Sequence, residues 1–181
     1  PATGYEASLY TATPVGVWAG IATALSLGLL VAVFASTGFA RRLALVLAGA
    51  TGLAVAALPI VRGYHFYGYG DALTHLGWAR DVATGDLSPI ELFYPGLHST
   101  TVVVSRVLGL PLTTAMLLVV LSMLATFLVF VPLCVRELTD RPGGLVVGTV
   151  AALLVLPVNH VALHYMNAHP VSETILLSAL V

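Results

Sequence analysis

The chain has very little charge for its length. Of its 181 residues only 8% are charged, none is lysine, and 59% are hydrophobic. A soluble domain carries about a quarter charged residues, so this composition excludes a water-soluble protein. The absence of lysine beside seven arginines is typical of GC-rich genomes, halophilic ones among them.

Cysteine and basic charge are scarce as well. The single cysteine, Cys134, excludes a disulfide framework and a cysteine-based zinc site. The net charge of −1 provides no basic surface of the kind that binds nucleic acid. We therefore expect no nucleic-acid partner.

Long apolar runs are abundant, and several approach the roughly 20 residues that span a bilayer. The predicted spans are residues 14–36, 43–61, 112–134, 143–158 and 171–181, the last one truncated. The fold prediction is an all-α polytopic transmembrane helix bundle, a single domain over residues 1–181 with the lipid bilayer as its partner. Because the chain begins at Pro1 and ends within an apolar run, we expect it to be an N-terminal fragment.

Arginines predict the sidedness of the spans. Arg41 and Arg42 lie between the first two spans, and Arg136 and Arg141 between the third and fourth. Short loops rich in arginine stay cytoplasmic, which puts residues 62–111 and 159–170 outside the cell. Residues 94–110 form a helical pattern that could also cross, but this sidedness requires that it does not.

All the histidines fall in these two outer regions. They are His65, His75, His98, His160, His164 and His169. His160 and His164 are four residues apart and could bind a metal if helical, a weak signal. Any chemistry is therefore expected outside the cell, in an integral protein of the plasma membrane.

Residues 71–85 predict an amphipathic helix lying on the outer membrane surface, with Asp71 as N-cap and Gly85 as C-terminal stop. Asp71 has two interpretations: a simple helix cap, or a carboxylate acting as a base or metal ligand. His75 shares its helix face, since the two are four residues apart. A surface histidine bonded to Asp71 is the commoner outcome for such a residue, and a ligand the rarer one.

Further candidates lie around this helix. Arg80 fits a solvated face, and Tyr69 belongs to an aromatic cluster that forms an interfacial belt or stacks on a sugar. His98 lies in the first turn of a helix restarted at Pro95. Arg106, two turns later, either extends to the lipid headgroups or holds a phosphate.

The order of these features resembles a known family. The segment "GDALTHLGWARDVATGDLSPIELFYPGLHSTTVVVSRVLGLPL" is similar to the first outer loop of the GT-C membrane glycosyltransferases, which include protein O-mannosyltransferases, aminoarabinose transferases and many prokaryotic relatives. That loop has an acidic residue, an amphipathic helix ending in glycine, and a proline-containing segment before the next helix. This sequence departs from the pattern at Ala72, where glutamate is usual, and at His75, one residue later than in the O-mannosyltransferases.

The resemblance implies a catalytic role for Asp71, as base or as ligand of a divalent cation (Mg²⁺ or Mn²⁺). It implies a second acidic residue at Glu173, in a segment that also carries His169. His75, Arg80, His98, Arg106, Tyr69 and His169 are the candidate substrate-binding residues.

The implied reaction moves a sugar from a polyprenyl-phosphate (dolichol-phosphate-like) donor to an extracytoplasmic protein, lipid or glycan, with inversion at the anomeric carbon. The main alternative is a transporter or channel with an outer vestibule lined by Asp71, His75 and Glu173. A non-catalytic membrane scaffold is the third hypothesis.

Overall fold

The computed structural model describes residues 12–65, 71–92, 95–141 and 143–158, without the side chains of Asp71 and residues 155–158. All regular structure in these ranges is helical, which confirms the all-α prediction. The helices are α1 (Val15–Phe34), α2 (Gly38–Ala56), α3 (Leu58–Val61), α4 (Asp71–Thr84), α5 (Gly96–Leu108), α6 (Leu112–Thr139) and α7 (Gly144–Val158), with one 3₁₀ turn at Pro89–Glu91.

Three helices, α1, α2 and α6, are long and apolar enough to cross a membrane. The chain is therefore a membrane protein. Helix α7 is apolar but shorter, with 15 described residues or about 22 Å. The predicted fifth span, residues 171–181, lies outside the described residues.

The helix that contains most of the second predicted span, residues 43–61, has the bounds Gly38–Ala56. Helix α2 begins at Gly38 because the Thr37 hydroxyl accepts a hydrogen bond from Ala40 N and caps the helix. It ends at Ala56, and Pro59 then opens the short helix α3, since proline fits only the first turn of a helix. Arg41 and Arg42 consequently lie inside a helix and not in a loop.

Arg41 has a structural role at this connection. Its Nε donates to Ala32 O and its Nη2 to Ala35 O, both at 3.1 Å. These carbonyls belong to the end of α1, where helical partners run out. The arginine therefore ties the start of α2 to the end of α1.

Small residues allow the long helices to approach closely. Ala44, Ala48, Gly52 and Ala56 recur every four residues along α2, and all are buried. A Cβ added to Gly28 of α1 would lie 3.4 Å from Ala48 Cβ. Close helix contacts through small side chains are a common means of association in membranes.

The α6–α7 contact is closer still. A Cβ added at Gly148 would lie 2.5 Å from the Cα of Pro132, inside α6, and one added at Gly144 would lie 2.8 Å from Arg136 Cα. Gly144 and Gly148 form a Gly-x-x-x-Gly pair, so the α7 backbone rests directly on the last turns of α6.

The packed helices have two distinct ends. Ala32, Ala44 and Leu45 form a cluster with Leu145 and Val146, so the α1–α2 and α6–α7 connections lie at the same end. The four arginines that predict sidedness lie in these connections or in the helix turns beside them.

At the opposite end, Ala56 of α2 joins a cluster with Leu97 of α5 and with Met116, Val120 and Leu124 of α6. Leu76 of α4 packs against the same cluster. Helices α4 and α5 therefore sit at the end away from the arginine-bearing connections.

Candidate functional site

Helix α4 has the predicted extent. It begins at Asp71 and ends at Thr84, and Gly85 follows in the left-handed conformation (φ 86°) while Asp86 N donates to Asp81 O at 2.9 Å. This is the glycine-terminated helix end that the sequence predicted. Ala72, His75 and Ala79 form its buried face.

Helix α5 follows the proline signal. Pro95 precedes Gly96, and Gly109 ends the helix with φ 64°. Its 13 residues span about 20 Å, less than the hydrocarbon core of about 30 Å, which fits the prediction that this segment does not cross. Its buried face carries two polar side chains, His98 and Thr101.

The two helices meet through their histidines. His75 Nδ1 and His98 Nε2 are 2.9 Å apart, and the side chains are 6% and 0% exposed. The interpretation of His75 as a surface histidine is thus wrong. The histidine is buried, and it pairs with a histidine from the next helix.

A second contact shows how α4 and α5 run relative to each other. Arg106 Nη2 donates to Ala83 O at 2.8 Å, in the last turn of α4. Both contacts join residues that are 23 positions apart. Since His75–His98 lies near the starts and Ala83–Arg106 near the ends, α4 and α5 run parallel with their N-terminal ends together.

Trp78 covers the histidine pair. Its ring centroid lies 5.3 Å from that of His75 and 5.5 Å from that of His98, in edge-on arrangements of 81° and 70°. The indole packs edge-on against both imidazoles and restricts their rotation.

The other predicted residues separate into two groups. Arg80 and Arg106 are exposed, and the guanidinium of Arg106 binds the carbonyl of Ala83. Their roles as phosphate ligands stay predictions. Tyr69, His164, His169 and Glu173 lie outside the described residues.

Asp71 is described by its backbone, as the first residue of α4. Helical spacing puts it one turn before His75 on the same face. The acidic residues after the helix stabilise the connection between α4 and α5. Asp86 Oδ2 accepts a hydrogen bond from Thr84 Oγ1 at 2.6 Å, and Glu91 Oε2 accepts one from Ser88 N at 2.9 Å.

The described residues do not assemble a metal centre. They contain no group of three or more histidine, cysteine or acidic side chains placed to hold an ion. The nitrogens of His75 and His98 face one another across a hydrogen bond, so that pair of nitrogens is not directed at a third atom. The predicted metal ligand His164 is outside the described residues.

Sequence reasoning did not predict the His75–His98 contact. Each histidine was recognised separately, but no local signal states that α4 and α5 pack in parallel with this register. The residue pattern of α5 held a partial signal, because His98 and Thr101 share a face with Leu97 and Val102.

Comparison of this chain with protein-family models, with curated proteins and with solved structures gives no match.

Proposed function

We propose that the chain belongs to a membrane glycosyltransferase of the GT-C type, which transfers a sugar from a polyprenyl-phosphate donor to an acceptor outside the cell. The observation that carries this proposal is the 2.9 Å contact between His75 and His98. It brings together the two parts of the resemblance, the helix opened by Asp71 and the helix opened by "YPGLH". Two segments that are separate in sequence thereby contribute to one place.

The parallel arrangement of α4 and α5 supports a phosphate-bearing substrate. Each helix carries a partial positive charge at its N-terminus, where backbone N–H groups lack helical partners. The two N-terminal ends lie together, near Asp71 and Gly96. An anionic group is favoured at such a place, and the donor phosphate is anionic.

The depth of the site supports a lipid-linked donor. Counting about 20 residues back from Arg136, near the end of α6, puts the other membrane boundary near Met116. Leu97, beside His98, packs in the cluster that contains Met116 and Val120. A site at this boundary is reachable by a donor whose lipid tail stays in the bilayer.

In the proposed reaction Asp71 acts as base. It takes the proton of the acceptor hydroxyl while that oxygen bonds to the anomeric carbon of the sugar. The bond from that carbon to the phosphate oxygen breaks, and the polyprenyl phosphate leaves with the electron pair. The backbone N–H groups at the starts of α4 and α5 balance the charge of the departing phosphate, since Arg80 and Arg106 lie toward the other ends of these helices. A role of Asp71 as metal ligand is the alternative.

The test compares the wild-type protein with Asp71→Asn in proteoliposomes, supplied with a labelled polyprenyl-phosphate sugar and an extract of acceptors. General-base catalysis contributes about 10²–10⁴-fold, so transfer should fall by at least about a hundredfold. Asp81→Asn is the matched control, the same chemical change ten residues later on α4, and should retain transfer.

Equal transfer by wild type and Asp71→Asn would refute the assignment of Asp71. If no donor supports transfer and the vesicles instead show flux of a solute, the transporter hypothesis replaces this one.

A further inference from the structure

The His75–His98 contact has the geometry of a linear hydrogen bond. The two nitrogens are 2.9 Å apart and the ring centroids 5.1 Å apart. The distance between the ring centroids exceeds the distance between the nitrogens. The excess is nearly twice the distance from the centre of an imidazole ring to one of its nitrogens, as expected when both nitrogens lie on the line that joins the centroids. Each nitrogen therefore points along the line between the rings, and one proton lies between them.

Surrounding groups hold both rings in this arrangement. His98 is fully buried and His75 almost so, and Trp78 packs edge-on against each. One helical turn after His98, on the same face of α5, lies the fully buried Thr101. The slight exposure of the pair belongs to His75, so His75 is the member nearer to water.

Hydrogen bonding fixes the chemistry of each nitrogen. A neutral imidazole has one donor and one acceptor nitrogen, and the bond made by one decides the role of the other. Because Nδ1 of His75 is engaged with His98, any proton exchange between His75 and the site goes through its Nε2.

We propose that His75 and His98 form a proton-sharing pair, in which His98 is a positioning residue that orients His75 and accepts its Nδ1 proton. This purpose rests on the proposed function. Asp71, after taking the acceptor proton, passes it to Nε2 of His75. The Nδ1 proton of His75 moves to Nε2 of His98, so the pair gains one positive charge and Asp71 becomes a carboxylate again. The reverse transfer returns the proton to water through the edge of His75.

Few of the charged side chains on the described helices lie near this pair. Helix α6 has no ionisable side chain between Leu112 and Leu133. The charged residues on the remaining helices packed nearby are Asp71 at the start of α4, Arg80 and Asp81 late in α4, Arg106 late in α5, Arg41 and Arg42 at the far end of α2, and Arg62 after α3.

The experiment observes the shared proton directly. Protein labelled with ¹⁵N-histidine in lipid nanodiscs should show a scalar coupling between His75 Nδ1 and His98 Nε2, transmitted through the hydrogen bond. The two rings should titrate as one coupled system in two steps. Absence of the coupling, with each ring titrating as it does when the other is replaced, would overturn the proposal.

Two replacements of His98 separate positioning from proton sharing. His98→Gln keeps an amide that can bond to His75 Nδ1 but cannot pass a proton on, and His98→Leu removes both abilities. We expect one His75 tautomer and a single titration step in His98→Gln, and mixed tautomers in His98→Leu. His75→Asn tests the bond from the other helix if His98→Leu does not fold, and should leave His98 with a single titration step.

Transfer assays distinguish this proposal from the proposed function. His98→Leu should lower kcat with little change in KM, by less than the roughly hundredfold loss expected for Asp71→Asn, and His98→Gln should recover some of the loss. A coupled pair in a protein without transferase activity would refute the function and keep the pair. If transfer depends on Asp71 but not on His98, and the coupling is absent, the proposed function stands and the proton-sharing pair is refuted.

Discussion

Thr101 is a buried polar side chain whose hydroxyl makes no hydrogen bond within the described residues. The residue is 0% exposed. A threonine in a helix commonly bonds the carbonyl four residues before, but Thr101 does not. A buried hydroxyl left without a partner costs about 1–3 kcal/mol.

Replacing Thr101 with valine should therefore stabilise the protein. The substitution keeps the branched shape and removes the hydroxyl, so we expect a gain of about 1 kcal/mol, measured by thermal unfolding in detergent. Thr101→Ser keeps the hydroxyl and removes a methyl group, and should lose about 1 kcal/mol through the small cavity. A loss of stability in Thr101→Val would show instead that the hydroxyl serves a bound partner.

At the scale of helices, features set by local sequence signals were predictable, and features set by contacts between distant residues were not. The end of α4 was predictable because a terminal glycine acts within one turn, and the helix begins at the aspartate that the sequence proposed as its cap. The start of α2 was missed, since Arg41 in sequence looks like a loop residue. Its backbone shows that it belongs to the helix, since Arg41 N donates to Thr37 O at 3.1 Å, while its side chain bonds to Ala32 O and Ala35 O across the turn.

The candidate site divides in the same way. The sequence singled out His75 and His98 through their positions on amphipathic helices, but the contact between them depends on tertiary packing. The tight α6–α7 contact was also unpredicted, although the spacing of Gly144 and Gly148 was a readable signal.

Gly148→Ala should destabilise the α6–α7 contact. Its Cβ would meet the backbone of Pro132, which cannot move aside as a flexible side chain can. Overpacking of this kind costs about 1–3 kcal/mol, to be read from thermal unfolding in detergent. Gly49→Ala in α2 is the control, with nothing within 4 Å of the added atom, and should be neutral or slightly stabilising. Equal effects of the two substitutions would contradict the close contact.

Among the described helices, Arg41, Arg42, Arg136 and Arg141 lie at one end, and the histidine pair lies at the other end with Arg62, Arg80 and Arg106. Positively charged connections favour the cytoplasmic side, so we expect helices α4 and α5 to face outward. Ile90, between these helices, is 92% exposed, and Ser36 lies exposed in the α1–α2 connection. We therefore expect these two positions to lie on opposite sides of the membrane.

Cysteine labelling checks this orientation. In a Cys134→Ser background, Ile90→Cys should react with a membrane-impermeant maleimide on intact cells, and Ser36→Cys only after permeabilisation. The cysteine-free protein controls for background reaction. Labelling of both positions from the same side would contradict the arrangement and remove the basis for an extracytoplasmic site.

The common register of α4 and α5 restricts how the length of this region can change. The two cross-contacts, His75–His98 and Ala83–Arg106, are eight residues apart in both helices. A single residue inserted between them in either helix would rotate the downstream turns by about 100° and break one of the two contacts. A residue inserted in the 85–95 connection changes both separations equally and disturbs neither. Insertions and deletions in natural or engineered variants of this protein should thus be confined to that connection, with both helices constant in length.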